Sequence, residues 1–459
     1  MEVSARLGAV ILFFFLLSSL PASAGDATLA PTPPMGWNGW DSYGRRINET
    51  QFRATADWMA KHLRKYGWRY VVIDDGWYVF NVEEDSKDSK FLLDEHGRFI
   101  PVPTRFPSSA NGAGFKAIAD YFHSRGLKLG IHIIRGIPRE AVAKNLSIAD
   151  SPYHAADAAD QSDACPWNTY NWGIKNNEAG QAYYDSIVKL YASWGVDFIK
   201  TDCIASHPYK PDEIRMLASA IKKSGRPIVL SLSPGPAAIE NAGEIAKYAE
   251  MWRICDDFWD HWGPWPGQEW STGLYQEFAI TAKWARYVRP GSWPDADMLP
   301  LGHLGPSPGA GDPRDTKLTK DEQRTMMTLW SIFRSPLIMG GDLLSMDKWT
   351  TSLLTNPEVI AVDQHSAENR GVVNTENTAV WIARTGMFND IPPEDYYLAV
   401  FNIGDSEQTV HYEWKDLGLS GASYKLRDLW RRKNSGKAAA LSVKLAPHAS
   451  VLYRLEGKR

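Results

Sequence analysis

Residues 196–202, with the sequence VDFIKTD, place a lysine and an aspartate at the end of a short, largely apolar run. A run of this length and composition predicts a strand buried in a parallel sheet. Charged side chains are costly in such a place unless they have a partner or a function. Lys200 and Asp202 therefore mark the carboxyl end of this strand as a candidate site.

Seven further segments also predict strands, and amphipathic stretches with helical spacing, residues 320–333 among them, separate the strands. The eight predicted strands are 35–40, 70–77, 128–134, 197–203, 227–232, 248–254, 291–293 and 335–339. This alternation predicts an α/β fold, a (β/α)8 TIM barrel over residues 25–365. The alternative, an open doubly wound sheet, is disfavoured because no glycine-rich phosphate loop follows any of these strands.

After residue 365 the pattern changes to short alternating runs separated by turn residues. Residues 379–383, 396–401, 409–414 and 450–455 are the clearest of these runs. Such spacing is typical of antiparallel strands. We expect a C-terminal antiparallel β-sandwich domain over residues 366–459.

The first 24 residues have the pattern of a secretory signal peptide. Residues 7–20 are almost entirely apolar, and Ala22-Ser23-Ala24 resembles a cleavage site. The run is shorter than the ~20 residues of a membrane-spanning helix. We expect a secreted or periplasmic protein that begins near Gly25 and has no membrane association after signal removal. An uncleaved anchor stays open as the alternative, because Glu2 accompanies Arg6 in the leading segment.

Charge and cysteine content exclude several function classes. The 459 residues include 50 Lys and Arg against 54 Asp and Glu, a formal net charge of −4, and no basic stripe indicates a nucleic-acid partner. Of the three cysteines, Cys165 and Cys203 are the predicted pair if a bridge forms, and Cys255 then stays free. Because no cysteine or histidine cluster has zinc spacing, we expect no metal site.

Carboxylates gather where the predicted strands end. The aspartates at these ends are Asp74, Asp75, Asp202, Asp256, Asp257, Asp295 and Asp297. In a TIM barrel all of these ends face one mouth, where active sites are built. Any one aspartate could simply cap a helix, but several together favour glycoside hydrolysis, which needs two carboxyl groups. A sugar-binding protein would need no pair of nucleophile and proton donor.

The chain also resembles glycoside hydrolase family 27, the α-galactosidase and melibiase family. The resemblance rests on the motifs PPMGWNGW (33–40), VVIDDGW (71–77), GLKLGI (126–131), DFIKTD (197–202), WRxxxD (252–257), GSWPDADML (291–299) and SPLIMG (335–340). It implies a cofactor-free, retaining exo-glycosidase that hydrolyses terminal α-D-galactosyl residues of small-molecule or oligosaccharide substrates through a covalent glycosyl-enzyme.

The same resemblance implies a role for each site residue. Asp202 would be the nucleophile and Asp257 the acid/base, with Asp256 beside it as the alternative. The implied substrate-binding residues are Trp40, Asp74, Asp75, His132, Lys200, Ser233, Arg253, Asp297 and Met298. Among them, Asp74 and Asp75 would bind the hydroxyls O4 and O6, and Trp40 would stack on the sugar.

Two departures from the family pattern concern the sugar. Ser233 stands where family α-galactosidases carry a glutamate that contacts O2, and His132 replaces a tyrosine. The loop 134–139 also lacks the cysteine that usually pairs near the nucleophile. The Asp74-Asp75 pair is retained, which favours an axial O4. An α-D-galactoside is therefore expected, with a β-L-arabinopyranoside or an α-N-acetylgalactosaminide as alternatives.

Overall fold

The computed structural model describes residues 28–83, 89–268, 270–386 and 395–457, so the proposed signal peptide lies outside the described residues. Eight parallel strands form the first domain. They are β1 (Met35–Asn38), β2 (Tyr70–Ile73), β3 (Lys128–Ile134), β4 (Phe198–Asp202), β5 (Val229–Leu232), β6 (Met251–Arg253), β7 (Trp293–Asp295) and β8 (Leu337–Met339).

The sheet closes into a barrel. Each strand from β1 to β6 pairs in parallel with the next one, and β8 pairs with β1. The remaining gap, between β7 and β8, is closed by Leu299. Its N–H donates to the carbonyl of Ile338 at 2.8 Å, and its carbonyl accepts from Gly340 at 3.0 Å. The predicted TIM barrel is therefore confirmed.

Helices surround the strands in the expected order. They are α1 (Glu49–His62), α2 (Lys116–Ser124), α3 (Glu178–Trp194), α4 (Pro211–Ser224), α5 (Ala242–Ile245), α6 (Leu274–Trp284) and α7 (Lys320–Phe333), with α8 (Lys348–Leu354) and α9 (Pro357–Gln364) after β8. Local sequence explains their ends. Asn48 and Thr319 form capping boxes at the starts of α1 and α7, and the left-handed Gly195 and Gly225 end α3 and α4.

Several predicted strands extend too far at their carboxyl ends. The first ends at Asn38, because Trp40 begins a single helical turn. The second ends at Ile73, and Asp74 and Asp75 already lie in the following loop. The seventh differs in the opposite direction, because it covers Trp293–Asp295 and so begins and ends two residues later than predicted. The apolar pattern does not show where the chain leaves the sheet, and the candidate site residues lie at these exits.

The described part of the C-terminal domain, residues 366–386 and 395–457, has eight antiparallel strands. They are β9 (Ser366–Asn374), β10 (Thr378–Thr385), β11 (Asp395–Asn402), β12 (Gln408–Glu413), β13 (Tyr424–Asp428), β14 (Lys433–Ala438), β15 (Ala440–Leu445) and β16 (Ser450–Glu456). Six form one sheet in the order β9-β10-β11-β16-β13-β14, and β12 pairs with β15. This confirms the expected antiparallel β domain.

The larger sheet of this domain is buried on both faces at β10. Val380 and Ile382 belong to the core between the two sheets, whereas Ala379 and Trp381 belong to the core shared with the barrel. The ring of Trp381 lies 6.2 Å from that of Phe333 in α7. The second domain therefore packs on the helical face of the barrel. Within the described ranges, no helix is both long and apolar enough to cross a bilayer.

Candidate active site

The register of three neighbouring strands brings the first group of predicted residues together. Ile73 pairs with Ile131, so Asp74 follows β2 at the level of His132 in β3. His132 in turn pairs with Lys200 in β4. Side chains alternate along a strand, so Lys200 and Asp202 project to the same side, into the mouth of the barrel.

Asp74 and Lys200 form a buried ion pair on the floor of this mouth. Lys200 Nζ donates to Asp74 Oδ2 at 2.8 Å, and Asn38 donates to the same oxygen at 2.7 Å. Burial opposes the ionisation of Asp74, but the charges of Lys200 and His132 outweigh it and hold its pKa well below the usual range. Burial also disfavours the charged form of Lys200, which would lower its pKa. The carboxylate of Asp74 and further carboxylates outweigh this effect and raise the pKa of Lys200 above its ordinary value. The floor therefore presents a carboxylate and an ammonium, which can hold neighbouring hydroxyls.

Asp75 is held beside this pair by groups outside the barrel. Tyr78 donates its hydroxyl to Asp75 Oδ1 at 2.7 Å, and the hydroxyl of Tyr170 lies 3.3 Å from the same oxygen. Arg45 Nε lies 3.5 Å from the other oxygen. These contacts fix the orientation of the carboxylate while it still lines the mouth.

Asp202 ends β4 and is contacted by an indole. Trp167 donates its Nε1–H to Asp202 Oδ2 at 3.1 Å. A disulfide joins Cys165 to Cys203, the residue after Asp202, with the Cα atoms 6.0 Å apart, so the predicted cysteine pairing is confirmed. The bridge ties the loop of Trp167 to the end of the strand that carries Asp202.

A third group lies across the mouth, on β6 and the segments after β6 and β7. Arg253 Nη2 lies 2.7 Å from Asp297 Oδ2 and 3.1 Å from Asp257 Oδ1. The backbone N–H of Phe258 also donates to Asp297 Oδ2 at 2.8 Å. Burial raises the pKa of Asp297, although Arg253 opposes this. Burial and the charge of Asp297 raise the pKa of Asp295, behind it, to about 7.

One cavity of about 910 Å³ joins these groups. The cavity is lined by all eleven residues to which the resemblance gave a catalytic or binding role, namely Trp40, Asp74, Asp75, His132, Lys200, Asp202, Ser233, Arg253, Asp257, Asp297 and Met298. The bottom of the cavity is polar and closed to solvent, because Asp74 there is 3% exposed. The mouth is open, because the side chain of Asp257 is 44% exposed. Two carboxylates from distant parts of the chain, Asp202 and Asp257, thus face one sugar-sized space.

The cavity also has walls that the motifs did not indicate. The additional lining residues include Asp41, Arg45, Trp167, Asn168, His207, Trp259 and Trp270. Six of these seven lie on the loops that follow β1, β3, β4 and β6, and the strand pattern does not show which residues of a loop turn back towards the mouth. Asp41 is the exception, because its place directly after β1 and Trp40 could have singled it out. Burial raises its pKa well above the ordinary value, and Asp297 adds to this effect.

Family comparisons agree with this geometry. Residues 32–141 and 175–365 match the family model described as alpha galactosidase A, and residues 376–455 match the model of the alpha galactosidase C-terminal beta sandwich domain. The chain belongs to glycoside hydrolase family 27. As a member of family 27, it is a glycoside hydrolase and acts on sugar substrates.

The relatives within family 27 are named for different sugar substrates. Alpha-galactosidase 2 of Arabidopsis thaliana is 31% identical over 94% of this chain and 91% of its own length. A solved β-L-arabinopyranosidase from Geobacillus stearothermophilus is 45% identical, with a TM-score of 0.86 over 93% of this chain and 97% of that one. A putative alpha-N-acetylgalactosaminidase from Bacillus halodurans is 39% identical, with a TM-score of 0.80 over 93% and 98%.

Proposed function

We propose that this family 27 enzyme is a retaining exo-acting α-D-galactosidase with Asp202 as nucleophile and Asp257 as acid/base. The observation that carries the proposal is the convergence of these two carboxylates on one cavity whose floor is the Asp74–Lys200 pair. Retaining glycosidases use two carboxyl groups about 5–5.5 Å apart, one on each side of the bond that is cleaved.

In the first step, Asp202 attacks the anomeric carbon and the bond to the leaving oxygen breaks. Trp167 donates to Oδ2 of Asp202, which leaves Oδ1 as the oxygen that attacks. Asp257 gives its proton to the leaving oxygen, so that a neutral alcohol departs and a glycosyl ester forms. Because the ester has no charge, the loss of negative charge at Asp202 favours the ionised form of Asp257.

In the second step, water takes the place of the departed alcohol. Asp257 accepts a proton from this water while the water oxygen attacks the anomeric carbon, and Asp202 leaves as a carboxylate. The exposure of Asp257 at the mouth lets water reach it, and Arg253 holds the side chain in place. Two inversions restore the original configuration.

The depth of the cavity supports an exo mode of action. The Asp74–Lys200 pair is on the floor, and the two proposed catalytic carboxylates are nearer the mouth. A pyranose whose hydroxyls bind the floor then points its anomeric carbon outward. Only the terminal residue of a chain can be placed in this way.

The glycone proposal rests on the retained Asp74-Asp75 pair and on the curated relatives, several of which are α-galactosidases. The β-L-arabinopyranosidase at 45% identity favours a second candidate, since that sugar lacks only the C6 carbinol group of galactose. Ser233 leaves the wall after β5 small, which keeps an α-N-acetylgalactosaminide as a further alternative.

The catalytic proposal is tested with 4-nitrophenyl α-D-galactoside and three matched variants. We expect Asp202→Asn and Asp257→Asn each to lower kcat by at least about 10³-fold, because each removes one half of the double displacement. Asp256→Asn, which changes the neighbouring carboxylate, should lower kcat far less. The acid/base assignment is wrong if Asp256→Asn is the more damaging change. Appearance of the β anomer as the first product by NMR would contradict the nucleophile assignment.

The glycone proposal is tested by comparing kcat/KM for the nitrophenyl glycosides of α-D-galactose, α-D-N-acetylgalactosamine and β-L-arabinopyranose. We expect the α-galactoside to have the highest value. A higher value for the arabinopyranoside would replace the proposed glycone with the second candidate.

We infer that the protein is exported, from the signal-like residues 1–24. The Cys165–Cys203 disulfide fits an oxidising compartment. Sequencing of the N-terminus of the secreted protein should find Gly25, and retention of Met1 would contradict this inference.

A further inference from the structure

A buried carboxyl group that the proposed mechanism does not use lies at the bottom of the cavity. Asp41 lines the cavity and is 1% exposed, which makes it at least as deeply buried as Asp74. Its Oδ2 has no hydrogen-bond partner among the described residues. A buried polar atom without a partner is costly. Beside a sugar-sized cavity, such an atom indicates a group that the ligand supplies.

The chain around Asp41 makes room for this carboxyl group. Asp41 lies in the single helical turn that Trp40 begins after β1, and its carboxyl group packs against Gly340, directly after β8. A Cβ atom at Gly340 would lie 1.9 Å from Oδ2, so a larger residue there would displace the carboxyl group. Ser42 ties the turn to the same place by donating to the carbonyl of Gly340 at 2.9 Å. The carboxyl group is therefore held in position before a substrate binds.

The surroundings of Asp41 favour its neutral form. Burial raises its pKa well above the ordinary value, and the charge of Asp297 adds to this effect, which Lys200 opposes. A protonated carboxyl group carries an O–H donor as well as acceptor oxygens, whereas a carboxylate can only accept. Asp41 can therefore donate to a sugar hydroxyl, which the carboxylates of the cavity cannot do.

The order of the strands indicates which part of the sugar Asp41 faces. Asp74 follows β2, Lys200 lies in β4 on one side of β2, and Asp41 follows β1 on the other side. The resemblance to family 27 implies that Asp74 binds O4. In galactose the neighbours of C4 are C3, which carries a hydroxyl, and C5, which carries the C6 carbinol group. When O3 lies towards Lys200, the carbinol group lies towards Asp41.

We propose that Asp41 binds the C6 hydroxyl of the glycone and thereby selects a galactoside over an arabinopyranoside. This inference rests on the proposed function. The two sugars share O2, O3 and O4, and arabinopyranose lacks the C6 carbinol group. Asp41 has a partner when a galactoside occupies the cavity and none when an arabinopyranoside does. A site built to bind a hydroxyl discriminates strongly against an analogue that lacks it, because the buried polar group is then left unpaired.

The test compares three nitrophenyl glycosides, those of α-D-galactose, 6-deoxy-α-D-galactose and β-L-arabinopyranose. The 6-deoxy sugar keeps the C6 carbon and lacks only its hydroxyl. The quantity measured is the ratio of kcat/KM for the galactoside to kcat/KM for each of the other two. We expect Asp41→Ala to lower both ratios at least about tenfold, equivalent to ~1.4 kcal/mol, because one hydrogen bond to a buried group is lost.

Two further variants of Asp41 separate the hydrogen bond from the shape of the side chain. Asp41→Leu keeps the branched shape without polar atoms and should lower both ratios as Asp41→Ala does. It also leaves no empty space in the fold. Asp41→Asn keeps a neutral group that donates and accepts, and should retain most of the wild-type ratios.

The matched control is Asp74→Asn, which changes the carboxylate proposed to bind O4. All three sugars carry this hydroxyl, so the variant should lower kcat/KM for all of them and change the ratios little. Near-ultraviolet circular dichroism and Tm verify that each variant is folded.

Two outcomes would overturn the inference. Equal losses for all three substrates in folded Asp41→Ala and Asp41→Leu would show that Asp41 supports the site as a whole. A loss shared by the galactoside and the 6-deoxy sugar would assign Asp41 to the shape of C6 and not to its hydroxyl. A wild type that prefers the arabinopyranoside refutes the proposed glycone instead, and the effect of Asp41→Ala on the ratios then still decides whether Asp41 contacts the C6 hydroxyl.

Discussion

Replacement of Gly309 by alanine is expected to damage the active site through one side chain, the indole of Trp40. A Cβ atom at Gly309 would lie 2.2 Å from Cε2 and 2.3 Å from Nε1 of this ring. Ordinary contact begins near 3.4 Å, so the ring must move by about 1.2 Å. The backbone cannot easily absorb this shift, because Gly309 N–H donates to the carbonyl of Trp40 at 2.9 Å.

The size of the effect follows from this displacement. Trp40 lines the cavity where the glycone is proposed to stack, and a misplacement of about 1 Å at an active site can cost 10²-fold. We expect Gly309→Ala to lower kcat/KM for 4-nitrophenyl α-D-galactoside by about 10²-fold, equivalent to about 2.7 kcal/mol of transition-state stabilisation. Near-ultraviolet circular dichroism and Tm would verify that the variant is folded.

Two comparisons isolate the cause. Gly243→Ala adds the same methyl group in helix α5, where nothing lies within 4 Å, and should keep wild-type kinetics. In a Trp40→Phe background, the atoms that clash are gone, so the added cost of Gly309→Ala should fall below about tenfold. A folded Gly309→Ala enzyme with wild-type kcat/KM would refute the reasoning, as would an equal loss in both backgrounds.

The remaining predictions concern stability. Lys200→Met should lower the free energy of unfolding in urea by about 3–5 kcal/mol, because it leaves Asp74 buried without its counter-ion. Lys116→Met, which breaks an equally short but exposed pair, should lower it by at most about 0.5 kcal/mol. Equal losses in the two variants would contradict this prediction. Burial raises the pKa of Glu277 from 4.5 to about 8, so the folded state retains a proton that the unfolded state loses, and stability falls as pH rises between these values. The Tm of Glu277→Gln relative to wild type should therefore increase from pH 5 to pH 8, and a constant difference would show that this carboxyl does not titrate as described. Cys165→Ser removes a bridge between residues 38 apart and should cost about 2–4 kcal/mol; its Tm should be insensitive to reductant, unlike that of the wild type.

Elements with strong local signals were predictable to the residue. Strand 128–134 and helix 320–333 have the same bounds in the structure as in the sequence pattern. The strand is a largely apolar run that begins two residues after Gly126, and the helix begins with a capping box formed by Thr319 and Glu322. The exits from β1 and β2 were misplaced because large apolar rings, Trp40 and Trp77, follow shortly after the chain has left the sheet.

The candidate site was predictable where it depends on strand ends. Asp74, Lys200, Asp202 and Arg253 come together because neighbouring parallel strands end at one edge, and this register follows from alternation along each strand. The contacts of Asp75 were not predictable. Tyr170 reaches it from a loop 95 residues away, and no spacing rule relates the two.

The sequence by itself determined that eight apolar strands would place a ring of aspartates at one mouth, because burial, alternation and helix capping act between residues close in the chain. Only the tertiary structure decided what surrounds that ring. Trp167 bonds Asp202, and Trp270 lines the same cavity, on loops whose paths depend on packing against the rest of the molecule. Strand β10 in the larger sheet of the β domain is buried on both faces. Its second face is covered only because the barrel, which is distant in the sequence, packs against it.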